Sequence, residues 1–203
     1  MSATASAWVQ RFAGLIKPGG TVLDLACGSG RHVLWLSEQG LTVTGVDRDA
    51  GALSAVEGPA ELIVADIEGG AWPLTGRVFD AVVVTNYLWR PLWPAVLGAV
   101  AEGGVLIYET FADGQQTVGK PSRPEFLLQP GELLTVCQGL RVVAFEDGFE
   151  PAPAPGRFVQ RIAAVKPALA SALQPRYRLQ GGWWAGPPTA LGPPSVSGPK
   201  ADS

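Results

Sequence analysis

Glycines and an acidic residue at the end of an apolar segment suit the binding of a small ligand. Asp24 lies inside the apolar segment Thr21–Ala26, and Gly28 and Gly30 follow that segment closely. Glycine allows a tight turn and a close approach of the backbone to a ligand, and the start of a following helix offers unpaired N–H groups to an anion. A purely structural strand avoids a charge such as that of Asp24. On its own, the Gly-x-Gly sequence is also compatible with an ordinary strand-to-helix turn.

Further acidic residues come at the ends of two later apolar segments. Asp47 lies about 20 residues after Gly28, a spacing at which a carboxylate can accept hydrogen bonds from both hydroxyls of a ribose. Asp66 can accept from an adenine amino group while Ile67 packs on the ring. Taken singly, Asp47 is also compatible with an acid at a helix N-terminus and Asp66 with a loop-entry aspartate. Together with the glycine loop, they indicate an adenosine-type ligand.

The segments that position these residues alternate between strands and helices. Short apolar runs predict seven strands, over 21–26, 41–46, 61–65, 79–84, 104–108, 140–146 and 158–165. Helical spacing predicts helices over 5–16, 31–39, 50–56, 91–100 and 131–138. This alternation indicates a doubly wound α/β fold with a mostly parallel sheet and helices on both faces, whose ligands bind at the carboxyl ends of the strands. The Pro-rich link before the last strand predicts a hairpin, so we expect that strand to be antiparallel.

The composition fits one compact domain followed by an irregular tail. The chain has 203 residues, of which 47% are hydrophobic and 16% charged, and this length is enough for one substantial core. We expect the domain to cover residues 1–174 and a flexible Gly/Pro-rich tail to cover 175–203. Trp183 and Trp184 in that tail either pack locally on the domain or contact a partner or substrate.

Charge and cysteine content disfavour several classes of function. The net charge is −3 and the 15 Lys and Arg residues form no run, which disfavours nucleic acid as a partner. Two cysteines, Cys27 and Cys137, are too few for a disulfide framework, and their spacing predicts no metal site. We expect no signal peptide at the N-terminus and no membrane span, because no apolar run approaches the roughly 18 residues that a span needs. The expected compartment is the cytoplasm.

Five motifs resemble, in order, those of class I S-adenosylmethionine-dependent methyltransferases, which have a Rossmann-like fold. They are VLDLACGSGRH, TGVD, VADIE, FDAVVV and GGVLIYE. The resemblance extends over residues 4–166, and the segment GSGRHVLWLSEQGLTVTGVD is particularly similar to small methyltransferases of the tellurite-resistance type. Ala26 departs from the pattern, because many members have the first glycine of Gly-x-Gly-x-Gly at that position.

This resemblance implies that S-adenosylmethionine is the cofactor and that its methyl group goes to a small-molecule acceptor. The implied contacts follow the motifs along the chain. They are Asp24 for the amino group, directly or through water; Ala26, Gly28 and Gly30 for the methionine part; Arg31 for the carboxylate; Asp47 for the ribose; Asp66 and Ile67 for the adenine; and Asn86 or its neighbours for the methyl-donor side.

Catalytic residues are expected after the fourth and fifth strands. Tyr87 and Glu109 end those strands, and Arg123 lies in the long polar segment 109–132. A segment of this length is commonly a lid or binding loop, so we expect it to cover the acceptor site; a surface excursion is the alternative. We expect Ala at Tyr87, Glu109 or Arg123 to spare cofactor binding and reduce turnover. His32, the sole histidine, is either an acid/base residue or a local hydrogen-bonding residue at a helix start.

Three other functions fit part of the same pattern. A non-catalytic S-adenosylmethionine-binding protein would show the same cofactor motifs. For a methyltransferase acting on RNA or protein, the mildly acidic balance argues against RNA. No Asn-Pro-Pro-Tyr follows the fourth strand, and DNA and protein-glutamine methyltransferases would have that motif. A nicotinamide dehydrogenase would have a third glycine where Val33 stands and would not have Asp24 within its strand. The motifs identify neither the acceptor atom nor the oligomeric state.

Overall fold

A computed structural model describes residues 4–168 and Tyr177, and within them seven strands form a single sheet. The strands are β1 (Thr21–Leu25), β2 (Thr42–Asp47), β3 (Glu61–Val64), β4 (Phe79–Thr85), β5 (Val100–Phe111), β6 (Arg141–Glu150) and β7 (Arg157–Val165). Their order in the sheet is β3-β2-β1-β4-β5-β7-β6. Strands β1 to β5 are parallel, and β7 is antiparallel to both β5 and β6. The predicted doubly wound sheet with an antiparallel last strand is confirmed.

Helices cover both faces of the sheet. They are α1 (Ala7–Phe12), α2 (Arg31–Glu38), α3 (Ala50–Ser54), α4 (Trp93–Gly98) and α5 (Glu132–Val136). Because alternate strand residues point to opposite faces, β4 supplies Val83 to the core under α1, α2 and α3 and Val82 to the core under α4 and α5. We call these the first and the second core. Each is apolar and buried, so the strand tips between them are the part of the sheet open to a ligand.

The fifth strand is longer than the sequence predicts. The helix expected over 91–100 ends at Gly98, after a 3-10 turn at Arg90–Leu92, and β5 already begins at Val100. Its first residue pairs with Phe79, and the ladder resumes after an irregularity with Ala81 opposite Val105. At its other end, Phe111 pairs with Val159 of β7. These long-range pairings extend the strand in both directions, and the local sequence does not contain them.

The predicted tail lies outside the described residues, apart from Tyr177. The Tyr177 ring lies beneath the guanidinium of Arg141, whose Cζ is 5.4 Å from the ring centroid, and it packs against the first core. The domain boundary at residue 174 and the roles of Trp183 and Trp184 therefore stay predictions. Among the described residues, no helix combines the length and the apolar character that crossing a membrane requires.

Candidate functional site

Two strained residues mark the edge of the sheet where the strand order reverses. Ala26 directly follows β1 and Asn86 directly follows β4, and both have a φ of 54°. Among the described residues they are the only non-glycine residues with a positive φ. This left-handed backbone costs a non-glycine residue about 1–2 kcal/mol, and such strain concentrates at functional sites. The glycine that family members have at position 26 would adopt the same backbone without that cost.

The loop after β1 needs its glycines for two different reasons. Gly28 has a φ of 54° with open space where a side chain would lie, whereas Gly30 has a φ of 74° and would place a Cβ 2.6 Å from Val56. The Gly28 N–H donates to a carboxylate oxygen of Asp47 at 2.7 Å. The loop is therefore fixed by the end of β2, and it leaves room beside Gly28.

Asp24 is a buried carboxyl group with no hydrogen-bond partner for either oxygen, and its side chain is 1% exposed. Burial raises its pKa to about 8. The charge of Arg31 opposes this rise, the charge of Asp47 adds to it, and the backbone N–H of Val33, which does not reach hydrogen-bonding geometry, lowers the pKa slightly. Buried polar groups in proteins nearly always have a partner. An unpartnered carboxyl group at the end of β1 is therefore suited to a donor that a ligand brings, such as an amino group.

His32 is buried beside Asp24 and is neutral. Its Nε2 accepts from the Ser6 N–H at 3.1 Å, which assigns the proton to Nδ1. Nδ1 lies 3.9 Å from Asp24 Oδ2 and 3.5 Å from Thr85 Oγ1. Burial and the charge of Arg31 lower the His32 pKa to about 3. His32 therefore acts as a hydrogen-bonding residue that holds the N-terminal segment, and it takes up no second proton near neutral pH.

Glu109, on β5, contacts Ser6 of the N-terminal segment, as His32 does. Its carboxylate accepts from the Ser6 hydroxyl at 2.9 Å and pairs with Arg161 of β7 at 3.1 Å, and the side chain is 1% exposed. Side chains alternate along a strand, so Glu109 points to the same sheet face as Val105 and Ile107, which is the face that α1 covers. The structure thus places Glu109 as an anchor for the N-terminal segment. Its predicted catalytic role remains untested.

The carboxylates of Asp47 and Asp66 lie at neighbouring strand ends, where the sequence predicts them. Asp47 accepts a second hydrogen bond from the Asp49 N–H at 2.9 Å. Asp66 accepts from the N–H groups of Glu68 and Gly69 at 3.0 and 3.2 Å, and these bonds lower its pKa. Ile67 packs against the second core. Backbone donors thus hold both carboxylates in fixed orientations, and that of Asp47 contacts the glycine loop.

A cleft of about 220 Å³ opens at the ends of β4 and β5. Its lining combines one carboxylate with aromatic, aliphatic and neutral polar side chains: Glu68, Asn86, Tyr87, Leu88, Thr110, Phe111, Pro121 and Phe126. Pro121 and Phe126 belong to the long segment after β5, which therefore covers the cleft as a lid would. Sequence reasoning missed Glu68, although the residue directly follows Ile67 in the VADIE motif.

Arg90, in the 3-10 turn that follows β4, contacts this covering segment. Its guanidinium donates to both carboxylate oxygens of Glu132 at 2.7 and 2.8 Å. It also donates to the backbone carbonyls of Glu125 and Leu127 at 2.9 and 2.8 Å. Bidentate pairs of this kind fix geometry as well as charge. The sequence contained no signal for this role beyond the place of Arg90 at the exit of β4.

The predicted catalytic residues separate in the structure. Tyr87 lines the cleft with a buried hydroxyl group. Burial, together with the charge and hydrogen bonding of the nearby Glu68 carboxylate, raises the Tyr87 pKa well above its usual range. Tyr87 is thus a neutral phenol and not a base. The Arg123 side chain is 71% exposed, paired with Glu125 and lying over the ring of Phe126, and it is not part of the cleft lining.

Comparison with known proteins agrees with the fold and the motifs. Residues 22–103 match a family model described as a methyltransferase domain. A comparison with curated protein sequences gives no significant match.

Solved structures with the same fold include several methyltransferases. TehB from Haemophilus influenzae matches with a TM-score of 0.65 and 20% identity over 82% of this chain, which spans 63% of TehB. An S-adenosylmethionine-dependent methyltransferase from Methanosarcina mazei matches with 0.63 and 15%, covering 82% of this chain and 100% of its own. The glycopeptide N-methyltransferase MtfA, complexed with S-adenosylmethionine, matches with 0.57 and 21%, covering 81% and 95%. The match to the methyltransferase-domain model and the shared fold together confirm the resemblance of this chain to the class I methyltransferase family.

Proposed function

We propose that this protein transfers a methyl group from S-adenosylmethionine to a small-molecule acceptor. The observation that carries the proposal is the buried, unpartnered Asp24 carboxyl group beside the glycine loop, on a sheet edge that also carries a covered cleft. A structural role does not account for a buried acid whose oxygens have no donor. The methyltransferase-domain match over residues 22–103 supports the same assignment.

The residues at the strand ends fit the groups of this cofactor one by one. The unpartnered Asp24 oxygens suit its amino group, and the open space at Gly28 suits the methionine part. The Asp47 carboxylate suits the two ribose hydroxyls, and Asp66 with Ile67 suits the adenine. Arg31, whose charge acts on Asp24, suits the carboxylate, and Asn86 lies between this region and the cleft.

The bound cofactor would supply an activated methyl group on a sulfonium sulfur. What the chain itself contributes is position, because aligning an acceptor with that methyl supplies much of the rate. Asn86 and Tyr87 form one wall of the cleft, and Pro121 and Phe126 form its cover. Since Tyr87 stays protonated, it can orient an acceptor by hydrogen bonding but cannot remove its proton.

The size of the cleft supports a small acceptor. Its volume of about 220 Å³ is below the roughly 300–1,000 Å³ of pockets for drug-sized ligands. MtfA is named as a glycopeptide N-methyltransferase, so transfer of a methyl group to nitrogen has a precedent on this fold. The cytoplasmic location remains a prediction.

Calorimetric titration with S-adenosylmethionine, and in parallel with NAD, tests the cofactor assignment. We expect heat of binding with S-adenosylmethionine alone, and we expect Asp47→Ala to abolish it because the ribose loses its acceptor. Glu102→Gln, an exposed carboxylate near the start of β5, is the matched control and should bind normally. Binding of NAD with no binding of S-adenosylmethionine would overturn the assignment.

Transfer itself needs a second measurement. Cell extract supplied with S-adenosylmethionine carrying a labelled methyl group should yield a labelled small molecule when the protein is present and not when Asp47→Ala replaces it. Binding of the cofactor without any labelled product would favour a non-catalytic binding protein. Label in RNA or protein in place of a small molecule would move the acceptor to a macromolecule.

A further inference from the structure

We propose that the acceptor is a small organic amine, bound in the cleft with its nitrogen facing the Glu68 carboxylate and its apolar body against the aromatic rings. This inference rests on the proposed function and specifies the substrate class of the same cleft. Of the described residues that line the cleft, Glu68 carries the only carboxylate and none is Lys, Arg or His.

The ionised groups around the cleft repel an anion. Besides Glu68, the charges of Asp66 and Arg48 act on the Tyr87 hydroxyl, so two acids face one base there. An acceptor with a carboxylate, phosphate or other oxyanion would meet an excess of negative charge, because Arg48 alone opposes the two acids and no basic side chain belongs to the lining. A cation finds the complementary charge in Glu68.

The rings of the lining favour the same class. Tyr87, Phe111 and Phe126 belong to the lining, and the faces of aromatic rings attract ammonium groups as well as apolar carbon. Leu88 and Pro121 extend the apolar surface. A carboxylate next to several rings is a combination that binds a nitrogen cation with an apolar body.

The groups available for proton transfer argue against a hydroxyl acceptor. A hydroxyl needs a strong base to become a competent nucleophile. The Tyr87 phenol, with its raised pKa, is not a base, and a carboxylate such as that of Glu68 is far too weak a base to ionise a hydroxyl. An amine needs only to lose one proton before it reacts. The nitrogen of the bound ammonium would release that proton through the exposed Glu68 carboxylate to water.

The transfer then balances without any further reagent. The nitrogen lone pair forms the new N–C bond as the S–C bond breaks, and the electron pair of the broken bond stays on sulfur. The sulfonium becomes a neutral thioether, and the methylated nitrogen carries the positive charge. One proton has gone to solvent.

The test compares three probes of the same size: benzylamine, benzyl alcohol and benzoate. Each is titrated calorimetrically into the full chain in the presence of S-adenosylhomocysteine, at pH 7. Benzylamine should bind about fivefold to thirtyfold more tightly than either of the others, which is the expected sum of a cation–π contact and a solvent-screened ion pair. Equal or tighter binding of benzoate would overturn the inference.

Substitution of the carboxylate gives the second arm. Glu68→Gln should lower the ratio of benzylamine to benzoate affinity by about tenfold, because it weakens the first and relieves the second. Glu102→Gln, exposed near the start of β5, should leave the ratio unchanged. An unchanged ratio in Glu68→Gln would contradict the proposed placement of the nitrogen at the Glu68 carboxylate.

The two proposals fail in different ways. S-adenosylmethionine is titrated separately into the same protein samples. If it does not bind, the proposed function fails and the amine inference fails with it. If it binds normally while the amine preference is missing, the inference on the acceptor alone is wrong.

Discussion

Replacing Asp24 by Asn provides the sharpest perturbation of the cofactor site. The substitution keeps the size of the side chain and removes its ability to ionise. With a pKa of about 8, about nine tenths of the Asp24 carboxyl groups are protonated at pH 7 in the ligand-free protein. Pairing with a ligand ammonium group requires the ionised form. Binding at pH 7 should therefore release about 0.9 proton from Asp24.

The same equilibrium predicts how affinity depends on pH. Between pH 6 and 7 the ionised fraction of Asp24 rises about ninefold, so the affinity for S-adenosylmethionine should rise by the same factor. The buried neighbours His32 and Cys27 do not titrate in this range. Burial and the charge of Arg31 lower the His32 pKa to about 3, and burial raises the pKa of the Cys27 thiol to about 12. We therefore assign the pH dependence of the affinity to Asp24.

Calorimetry in buffers of different ionisation enthalpy measures both quantities. We expect Asp24→Asn to bind S-adenosylmethionine at least tenfold more weakly at pH 7, to release no proton and to lose the pH dependence. The reasoning is refuted if the wild-type protein binds the cofactor with no proton release, or if the release persists in Asp24→Asn.

Unfolding gives an independent check on the same pKa. Because the native carboxyl group keeps its proton up to about pH 8 while the unfolded one ionises near 3.8, stability falls as pH rises between these values. The slope contributed by Asp24 is at most about 1.4 kcal/mol per pH unit. Urea unfolding of Asp24→Asn should lack this contribution, and an identical pH profile in both proteins would contradict the assignment.

Three further predictions concern the loop and the cover of the cleft. Ala26→Gly should stabilise the protein by about 0.5–1 kcal/mol in urea unfolding, because glycine adopts the left-handed backbone without strain. Gly30→Ala should destabilise it by about 2 kcal/mol or more, since its Cβ would overlap Val56, whereas Gly28→Ala should cost only the backbone strain of about 1–2 kcal/mol. Arg90→Lys should raise the acceptor KM and speed proteolysis of the covering segment by roughly fivefold, because lysine cannot make the bidentate pair and both carbonyl contacts.

Each of these has an internal control. A double variant with Val56→Ala should recover the steric part of the Gly30→Ala effect, and no recovery would show that the overlap is not the cause. Arg90→Lys should leave S-adenosylmethionine affinity unchanged, since the covering segment lies at the cleft. Loss of cofactor affinity would place the effect of Arg90 elsewhere. Destabilisation by Ala26→Gly would contradict the strain at that position.

The elements and the placement of acidic residues at the strand ends were predictable because their signals are local. Each strand is a short apolar run, and the acid that follows it lies at its carboxyl end wherever the strand is placed. Asp47 and Asp66 needed only the rule that parallel strands end at one edge. The antiparallel last strand followed from a Pro-rich hairpin link. The extent of β5 did not, because its ends are set by pairing with residues far away in the chain.

Which of the predicted acceptor-site residues line the cleft depended on the face of the sheet to which each side chain points. Tyr87 follows β4 and Glu109 lies near the end of β5. Tyr87 lines the cleft, whereas Glu109 lies on the sheet face that α1 covers. Arg123 lies in the segment expected to cover the cleft, but its side chain points to solvent. Glu68 lies in the VADIE motif, but nothing in that motif indicates that its side chain lines the cleft. Arg90 gave no periodic or motif signal, since its role arises from partners in another segment.

The sequence by itself therefore determined the doubly wound sheet and the ordered set of residues at its strand ends. Both follow from periodicity and from residue types within a few positions of one another. Tertiary structure alone decided that Asp24 is an unpartnered acid with a raised pKa, that His32 is neutral and that Glu109 holds the N-terminal segment. These properties depend on burial and on contacts between distant segments, because desolvation and partner geometry set the energy of a charged group.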